Sequence, residues 1–145
     1  MLPFRRPRAP HQESDGGNPD RGKRTLEGVN VLIVEDDFIV AYDMQTLLEE
    51  QGATVLGPSA SLEEARNTIA ANMGSIDVAV LDVNLGGQFV FPIAAQLRRE
   101  GIPLMFATAY ADDERLFPEE LKDAPRLAKP VLPNALIGHL KRLLG

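Results

Sequence analysis

The sequence contains no cysteine among its 145 residues, so disulfide bonds and thiolate chemistry are excluded. It also contains no apolar run that approaches the roughly 18 residues a membrane-spanning helix needs. Arginines occur near the N-terminus, but no apolar core follows them, which argues against a secretory signal. These absences predict a cytoplasmic protein without a membrane partner.

Charge is unevenly distributed along the chain. The net charge is −6, yet residues 1–28 carry six Lys or Arg against four acids, which leaves −8 on the remainder. An acidic domain without a basic stripe argues against direct nucleic-acid binding. Residues 1–28 also lack periodicity and contain several prolines and glycines. We therefore expect a flexible tail at 1–28, one domain at 29–145 and no output domain.

Short apolar runs alternate with segments of helical periodicity. Strands are predicted at 29–34, 54–56, 78–81, 104–107 and 127–128, and helices at 37–51, 61–72, 90–100 and 133–143. This alternation indicates an α/β fold with a doubly wound, five-stranded parallel sheet in the order 2-1-3-4-5. Residues 109–125 have the weakest pattern, so we expect a short, frayed fourth helix there and the most mobile part of the domain.

Polar side chains follow four of the five predicted strands. Glu35 and Asp36 follow the first, Asp82 follows the third, Thr108 the fourth and Lys129 the fifth. Any one of them is ordinary as a turn residue or helix cap. The carboxyl ends of parallel strands meet at one edge of the sheet, however, so these five side chains are expected to converge.

The set has a coherent chemistry. Carboxylates held close together repel one another unless a cation intervenes. Carboxylate oxygens suit Mg²⁺, which often shares its ligands with a phosphate. An aspartate can also attack phosphorus to give an aspartyl-phosphate. The three phosphoryl oxygens then need a metal, a hydroxyl or backbone donor, and a lysine.

In order and surroundings these residues resemble the receiver domain of two-component response regulators, a flavodoxin-like fold, over residues 29–145. The run 106–110, Phe-Ala-Thr-Ala-Tyr, resembles the single-domain FAT GUY subgroup, although Ala109 replaces the expected glycine. The resemblance implies that Asp82 accepts a phosphoryl group from a histidine kinase or histidine phosphotransfer protein.

The resemblance also implies roles for the other residues. Mg²⁺ would bind through Asp36, Asp82 and the backbone carbonyl of Asn84, with Glu35 acting through water and Asp37 starting the helix. Thr108 and Lys129 would bind the phosphoryl group, and the peptide bond between Lys129 and Pro130 would be cis.

One position departs from the common receiver pattern. Most receivers have Tyr or Phe three residues before the lysine, and this sequence has Arg126. A guanidinium is costly to bury unpaired, so Arg126 is a poor substitute for a ring that enters an apolar pocket. Tyr110 is the nearest aromatic residue. We therefore expect signalling to order residues 109–125, with Tyr110 packing over the site or gating access to it.

The resulting prediction is a stand-alone signalling switch that acts on an unknown downstream protein. It is not an enzyme beyond its own phosphorylation and dephosphorylation. One alternative is a small phosphatase with Asp82 as nucleophile, but Asn84 stands where that chemistry needs a general acid. The other alternative is an interaction module that works without phosphorylation.

Overall fold

The computed structural model describes residues 25–145, which form seven strands, four α-helices and two short 3₁₀ turns. The strands are β1 (Asn30–Val34), β2 (Thr54–Ser59), β3 (Val78–Leu81), β4 (Asn84–Leu85), β5 (Gln88–Phe89), β6 (Leu104–Thr108) and β7 (Arg126–Ala128). The α-helices are α1 (Phe38–Glu50), α2 (Leu62–Ala71), α3 (Phe91–Arg99) and α4 (Pro133–Leu144). None of these helices is long and apolar enough to cross a membrane.

Five strands form one parallel sheet in the order β2-β1-β3-β6-β7. This confirms the predicted fold and the predicted order 2-1-3-4-5. The numbers differ because β4 and β5 form a separate antiparallel hairpin in a stretch where no strand was predicted. The carboxyl ends of β1, β3, β6 and β7 therefore share one edge of the sheet.

Helices cover both faces of the sheet. The central strands β1, β3 and β6 are buried along their whole length, as expected of parallel strands sandwiched between helices. Alternate residues of these strands supply two separate core clusters. One cluster includes Leu81 and Phe106 with side chains of α2 and α3, and the other includes Val80 and Met105 with side chains of α1 and α4.

Two helix starts follow the sequence signals closely. The carboxylate of Asp37 accepts hydrogen bonds from the backbone N–H groups of Ile39 and Val40 at 3.0 and 3.1 Å, so Asp37 caps α1. At α2 the hydroxyl of Ser61 accepts from the N–H of Glu64 at 3.1 Å. All three bonds satisfy N–H groups that lack partners within their helix.

Residues 109–125, which we call the switch segment, differ from the prediction. They contain no α-helix, and the 3₁₀ turns Glu114–Leu116 and Glu119–Leu121 take its place. Pro118 lacks an N–H donor between the two turns, so a continuous helix cannot form through it. Three side chains of the segment are nevertheless buried in the core: Phe117, Leu121 and Ala124. The prediction of a short, frayed fourth helix is therefore wrong, and the expected mobility of this segment stays a prediction.

The predicted tail boundary also shifts. Residues 1–24 of the predicted tail lie outside the described residues. Leu26, inside the predicted tail, is completely buried, and its N–H donates to the carbonyl of Gln51 at 2.9 Å. The packed domain therefore includes residues 25–28, because one leucine in that stretch belongs to the core.

Candidate functional site

Three of the predicted strand-end residues meet directly. The ammonium Nζ of Lys129 lies 2.7 Å from Oε2 of Glu35 and 3.4 Å from Oδ2 of Asp82. The contact with Glu35 is an ion pair by distance, although it is not aligned as a hydrogen bond. The backbone fixes the carboxylates because the N–H of Asp82 donates to the carbonyl of Val34 at 2.8 Å. Lys129 therefore bridges the ends of β1 and β3.

The acids form a cluster with the geometry of a cation site. Glu35, Asp36 and Asp82 each offer one carboxylate oxygen, and these oxygens lie within 4.8 Å of one another. Glu35 and Asp82 are buried while Asp36 is exposed, so the cluster opens to solvent on one side. Oxygen donors in an open, incomplete shell suit Mg²⁺, which retains several waters. The residues present thus fit the predicted ion.

Burial dominates the electrostatics of Glu35. Its side chain is almost fully enclosed, and this burial is the main reason that its pKa rises to about 7. The Lys129 ammonium and the N–H of Asp37 pull the pKa downward, and the neighbouring charge of Asp82 raises it further. The Glu35 carboxyl therefore loses its proton less readily than the carboxyl of an ordinary glutamate does.

The same surroundings also raise the pKa of Lys129, but for a different reason. Burial alone would lower its pKa, but the carboxylates of Glu35 and Asp82 outweigh that effect and raise it. Lys129 therefore stays charged at neutral pH. Its backbone N–H donates to the carbonyl of Thr108 at 3.1 Å, and its peptide bond with Pro130 is cis, as the resemblance implied.

The β4–β5 hairpin forms one wall of the site. Gly86 and Gly87 make its two-residue turn with φ values of +59° and +94°, the conformation that such turns demand. The N–H of Gly86 donates to Oδ2 of Asp36 at 2.9 Å. The side-chain Oδ1 of Asn84 accepts from the N–H of Gly87 at 2.7 Å, so this side chain supports the turn. Only the backbone carbonyl of Asn84 was predicted to bind metal, and that role stays a prediction.

Thr108 ends β6 as a completely buried residue beside the lysine strand. Its hydroxyl oxygen accepts a hydrogen bond from the N–H of Tyr110 at 3.0 Å. The Tyr110 side chain is 43% exposed. Thr108 therefore links the edge of the sheet to the beginning of the switch segment, and Tyr110 is accessible next to it.

Arg126 is directed into the switch segment. Its side chain is only 9% exposed, and Nη1 lies 3.1 Å from the Glu114 carboxylate. Nη2 donates to the carbonyl of Lys122 at 3.2 Å, and Cζ lies 3.9 Å from the centroid of the Phe117 ring. The sequence predicted that Arg126 would be a poor substitute for a ring that enters an apolar pocket, yet its side chain is largely buried and lies over the Phe117 ring. Its partners Glu114 and Phe117 were not predicted, because no spacing signal exists in a segment that lacks a regular helix.

Comparisons with known proteins agree with this geometry. A model of the family described as "Response regulator receiver domain" matches residues 31–141. The transcriptional regulatory protein YvrH of Bacillus subtilis (strain 168) is 31% identical over 123 residues, which cover 81% of this chain and 51% of YvrH. The chain thus spans about half the length of that relative.

Two solved receiver structures are similar along most of the chain. The non-phosphorylated HemR receiver domain from Leptospira biflexa has a TM-score of 0.68 and 28% identity, covering 81% of this chain and 94% of that one. The signal receiver domain of a modulated diguanylate cyclase from Desulfovibrio desulfuricans G20 has a TM-score of 0.69 and 30% identity, covering 79% and 92%. With its parallel sheet, its acidic cluster and this match over residues 31–141, the chain belongs to the response regulator receiver domain family of two-component signalling.

Proposed function

We propose that this receiver accepts a phosphoryl group on Asp82 from a histidine kinase or histidine phosphotransfer protein, and passes the signal on by protein–protein contact. The observation that carries the proposal is the position of Lys129, whose ammonium lies 3.4 Å from the buried Asp82 carboxylate and 2.7 Å from Glu35. A charged lysine held there can neutralise a phosphoryl oxygen as that group arrives.

The transfer step makes one bond and breaks one bond. A carboxylate oxygen of Asp82 attacks phosphorus, and the bond between phosphorus and the donor imidazole nitrogen breaks, with the electron pair leaving on that nitrogen. Lys129 neutralises one phosphoryl oxygen, and the Thr108 hydroxyl donates to another.

Mg²⁺ has a defined place in this proposal. Asp36 and Asp82 would hold it together with the backbone carbonyl of Asn84, and Glu35 would bind through water. When bound, the ion supplies positive charge against the phosphoryl oxygens. The mutual approach of the Glu35, Asp36 and Asp82 oxygens to within 4.8 Å supports this arrangement.

The surface near the site suits a protein donor. Large apolar side chains on the first turns of α1 and on the loop before α4 face solvent: Phe38, Ile39, Tyr42 and Leu132. A groove of about 380 Å³ lies between these elements, and Lys129 is among its lining residues. A phosphodonor protein that reaches Asp82 can cover this surface. Such a contact explains why large apolar side chains are exposed beside a polar site.

Signal output is proposed to pass through the switch segment. Tyr110 begins it with a half-exposed ring, and its N–H is bound to the phosphoryl-binding Thr108. Because Phe117 and Leu121 are already buried, simple ordering of a disordered segment does not fit. We therefore replace that hypothesis with a rearrangement of the segment that starts at Thr108 and moves Tyr110.

The phosphatase alternative finds little support in the site. Asn84 lies in the hairpin and uses its side-chain oxygen to hold the turn. An amide there has no proton to give as a general acid. The interaction-module alternative leaves the buried cluster of Glu35, Asp82 and Lys129 without a purpose, although such a cluster is costly to build.

The test is labelling by a small phosphodonor. Purified protein with Mg²⁺ and acetyl phosphate should gain one phosphoryl group, and peptide mass spectrometry should locate it on Asp82. Asp82→Asn should keep its fold by circular dichroism and lose the label. Labelling of Asp82→Asn at the wild-type rate, or labelling located on another residue in wild type, would refute the assignment. Slow hydrolysis of an added phosphomonoester with multiple turnovers would instead favour the phosphatase.

A further inference from the structure

Besides its buried apolar anchors, the switch segment is attached by side-chain hydrogen bonds at three places, and each uses a different residue. Its beginning is bound to Thr108 through the N–H of Tyr110. Its far end is bound to α3, where Nη1 of Arg98 contacts the Asp123 carboxylate at 2.6 Å and the carbonyl of Glu120 at 2.8 Å. Its middle is bound by Arg126 of β7. The attachment in the middle is therefore the one made by a side chain of β7, the strand that Lys129 follows.

Arg126 makes that attachment with several atoms at once. Nη1 contacts the Glu114 carboxylate at 3.1 Å and the carbonyl of Ala111 at 3.5 Å, and Nη2 contacts the carbonyl of Lys122 at 3.2 Å. The face of the guanidinium lies 3.9 Å from the centroid of the Phe117 ring. A planar guanidinium can donate several hydrogen bonds from its edge while its face stacks on an aromatic ring. Neither an ammonium nor an aromatic ring can do both.

Phe117 connects this contact to the hydrophobic core. Its ring is buried and packs against Phe106 of β6 and Phe91 of α3, with centroid distances of 5.2 and 5.6 Å. Phe91 in turn stacks on Phe89 of the hairpin at 5.7 Å. The guanidinium is thus pressed between a fixed aromatic cluster and the exposed turns of the segment, which fixes where those turns lie.

We infer that Arg126 is a positioning residue that holds residues 109–117 in their resting conformation, by clamping Glu114, Ala111 and Phe117 to β7. This resting-state role stands without phosphorylation. The consequence for signalling rests on the proposed function: a phosphoryl group on Asp82 draws the Thr108 hydroxyl away from Tyr110, and the segment then moves against the Arg126 clamp. Loss of the clamp therefore favours the moved state before any phosphorylation occurs.

Amide hydrogen exchange of the unphosphorylated protein tests the clamp directly. The N–H groups of Asp113 and Leu116 are bonded within the first part of the segment, to Tyr110 and Asp113 carbonyls, at 3.0 and 3.1 Å. In Arg126→Met, which keeps an unbranched apolar stem, these two amides should exchange about tenfold faster or more, since hydrogen bonds to a charged group are lost. Arg126→Lys should also accelerate them, because one ammonium cannot replace the fork.

Two control variants make the result specific. Arg98→Ala removes the other attachment, so it should accelerate the amides of Leu121 and Ala124, which bond within the second part of the segment, more than those of Asp113 and Leu116. Arg115→Ala removes an exposed arginine of the same segment and should change none of the four amides. Unchanged exchange of Asp113 and Leu116 in Arg126→Met overturns the inference. The inference is also overturned if amide exchange is accelerated uniformly, including in the central strands, in both Arg126→Met and Arg126→Lys.

A second arm measures the signalling consequence with acetyl phosphate and Mg²⁺. Wild type should show a phosphorylation-dependent change in exchange at Asp113 and Leu116, and Arg126→Met should show little further change because it starts from the moved state. An equal change in both proteins overturns the link between the clamp and signalling. Labelling is followed by intact mass, so a wild type that takes no label refutes the proposed function, and the first arm still decides the clamp.

Discussion

Gly86 and Asp36 are joined by a hydrogen bond across fifty residues of sequence, from the Gly86 N–H to Oδ2 of Asp36 at 2.9 Å. The bond ties the β4–β5 hairpin to the acidic cluster. Gly86 holds φ at +59°, and a Cβ built on it would lie 4.0 Å from that carboxylate oxygen. Space is therefore available at this position, and backbone conformation is the restriction.

Substitutions of Gly86 should separate the effect of side-chain space from the effect of backbone conformation. Gly86→Asn should be nearly neutral, because asparagine tolerates the left-handed region and Asn-Gly is a favoured pair for this turn. Gly86→Val should cost about 1–2 kcal/mol of stability, since a β-branched residue at positive φ is strained. Urea unfolding of the two variants beside wild type measures the difference. Equal stability of the two variants would contradict the assigned turn.

Substitution of Asp36 and of Asp37, two consecutive acids after β1, should have different effects on the response of the protein to Mg²⁺. At a tenfold excess over the dissociation constant, Mg²⁺ should stabilise wild type by about 1.4 kcal/mol and raise its melting temperature. Asp36→Asn should lose this response because a ligand charge is removed. Asp37→Asn should keep it, since asparagine caps a helix as well as aspartate does.

Thermal melting with and without Mg²⁺ checks both variants. Asp37 uses its carboxylate to cap α1 and is not expected to bind the ion. A reversal, with Asp37→Asn losing the Mg²⁺ response and Asp36→Asn retaining it, would shift the proposed ligand set by one residue.

Thr108 should be needed for the conformational response more than for labelling. Thr108→Ala removes the hydroxyl that accepts from Tyr110 and that is proposed to donate to the phosphoryl group. We expect Asp82 to be labelled in this variant, without the phosphorylation-dependent change in Tyr110 fluorescence or exchange. Thr108→Ser keeps the hydroxyl and should restore the change. If Thr108→Ala and wild type respond alike, Thr108 has no part in the switch.

Glu35 should make the stability of the metal-free protein fall as pH rises. Its pKa in the fold is about 7, against an ordinary value of 4.5, so between these values the folded state binds more protons than the unfolded state. Stability therefore decreases with rising pH across about 4.5 to 7, and the whole loss is present above pH 7. Glu35→Gln cannot titrate and should lack this decrease.

Chemical denaturation in EDTA at several pH values measures the difference between wild type and Glu35→Gln. Comparing the two proteins cancels the contributions of other carboxylates, which are shared. A difference that grows in favour of wild type as pH rises would have the wrong sign and would exclude burial as the dominant influence on Glu35.

The sequence by itself determined the fold, and it was enough to predict which strand-end side chains meet. Apolar runs and helical periodicity are local, so they located β1, β3, β6 and the α-helices to within a few residues. Because parallel strands end at one edge, the order of Glu35, Asp82 and Lys129 along the chain was enough to predict that they meet. Asp37 and Ser61, the first residues of two predicted helices, cap α1 and α2, since a helix start is satisfied by residues adjacent in sequence.

The tertiary structure alone decided how the site is connected to its surroundings. The bond from Gly86 to Asp36 and the contacts of Arg126 with Glu114 and Phe117 join residues whose separation carries no periodic signal. The switch segment was misjudged because its stability comes from buried anchors and not from helical pattern. Even the high pKa of Glu35 depends on enclosure by neighbours from several strands, and enclosure is a property of the packed molecule.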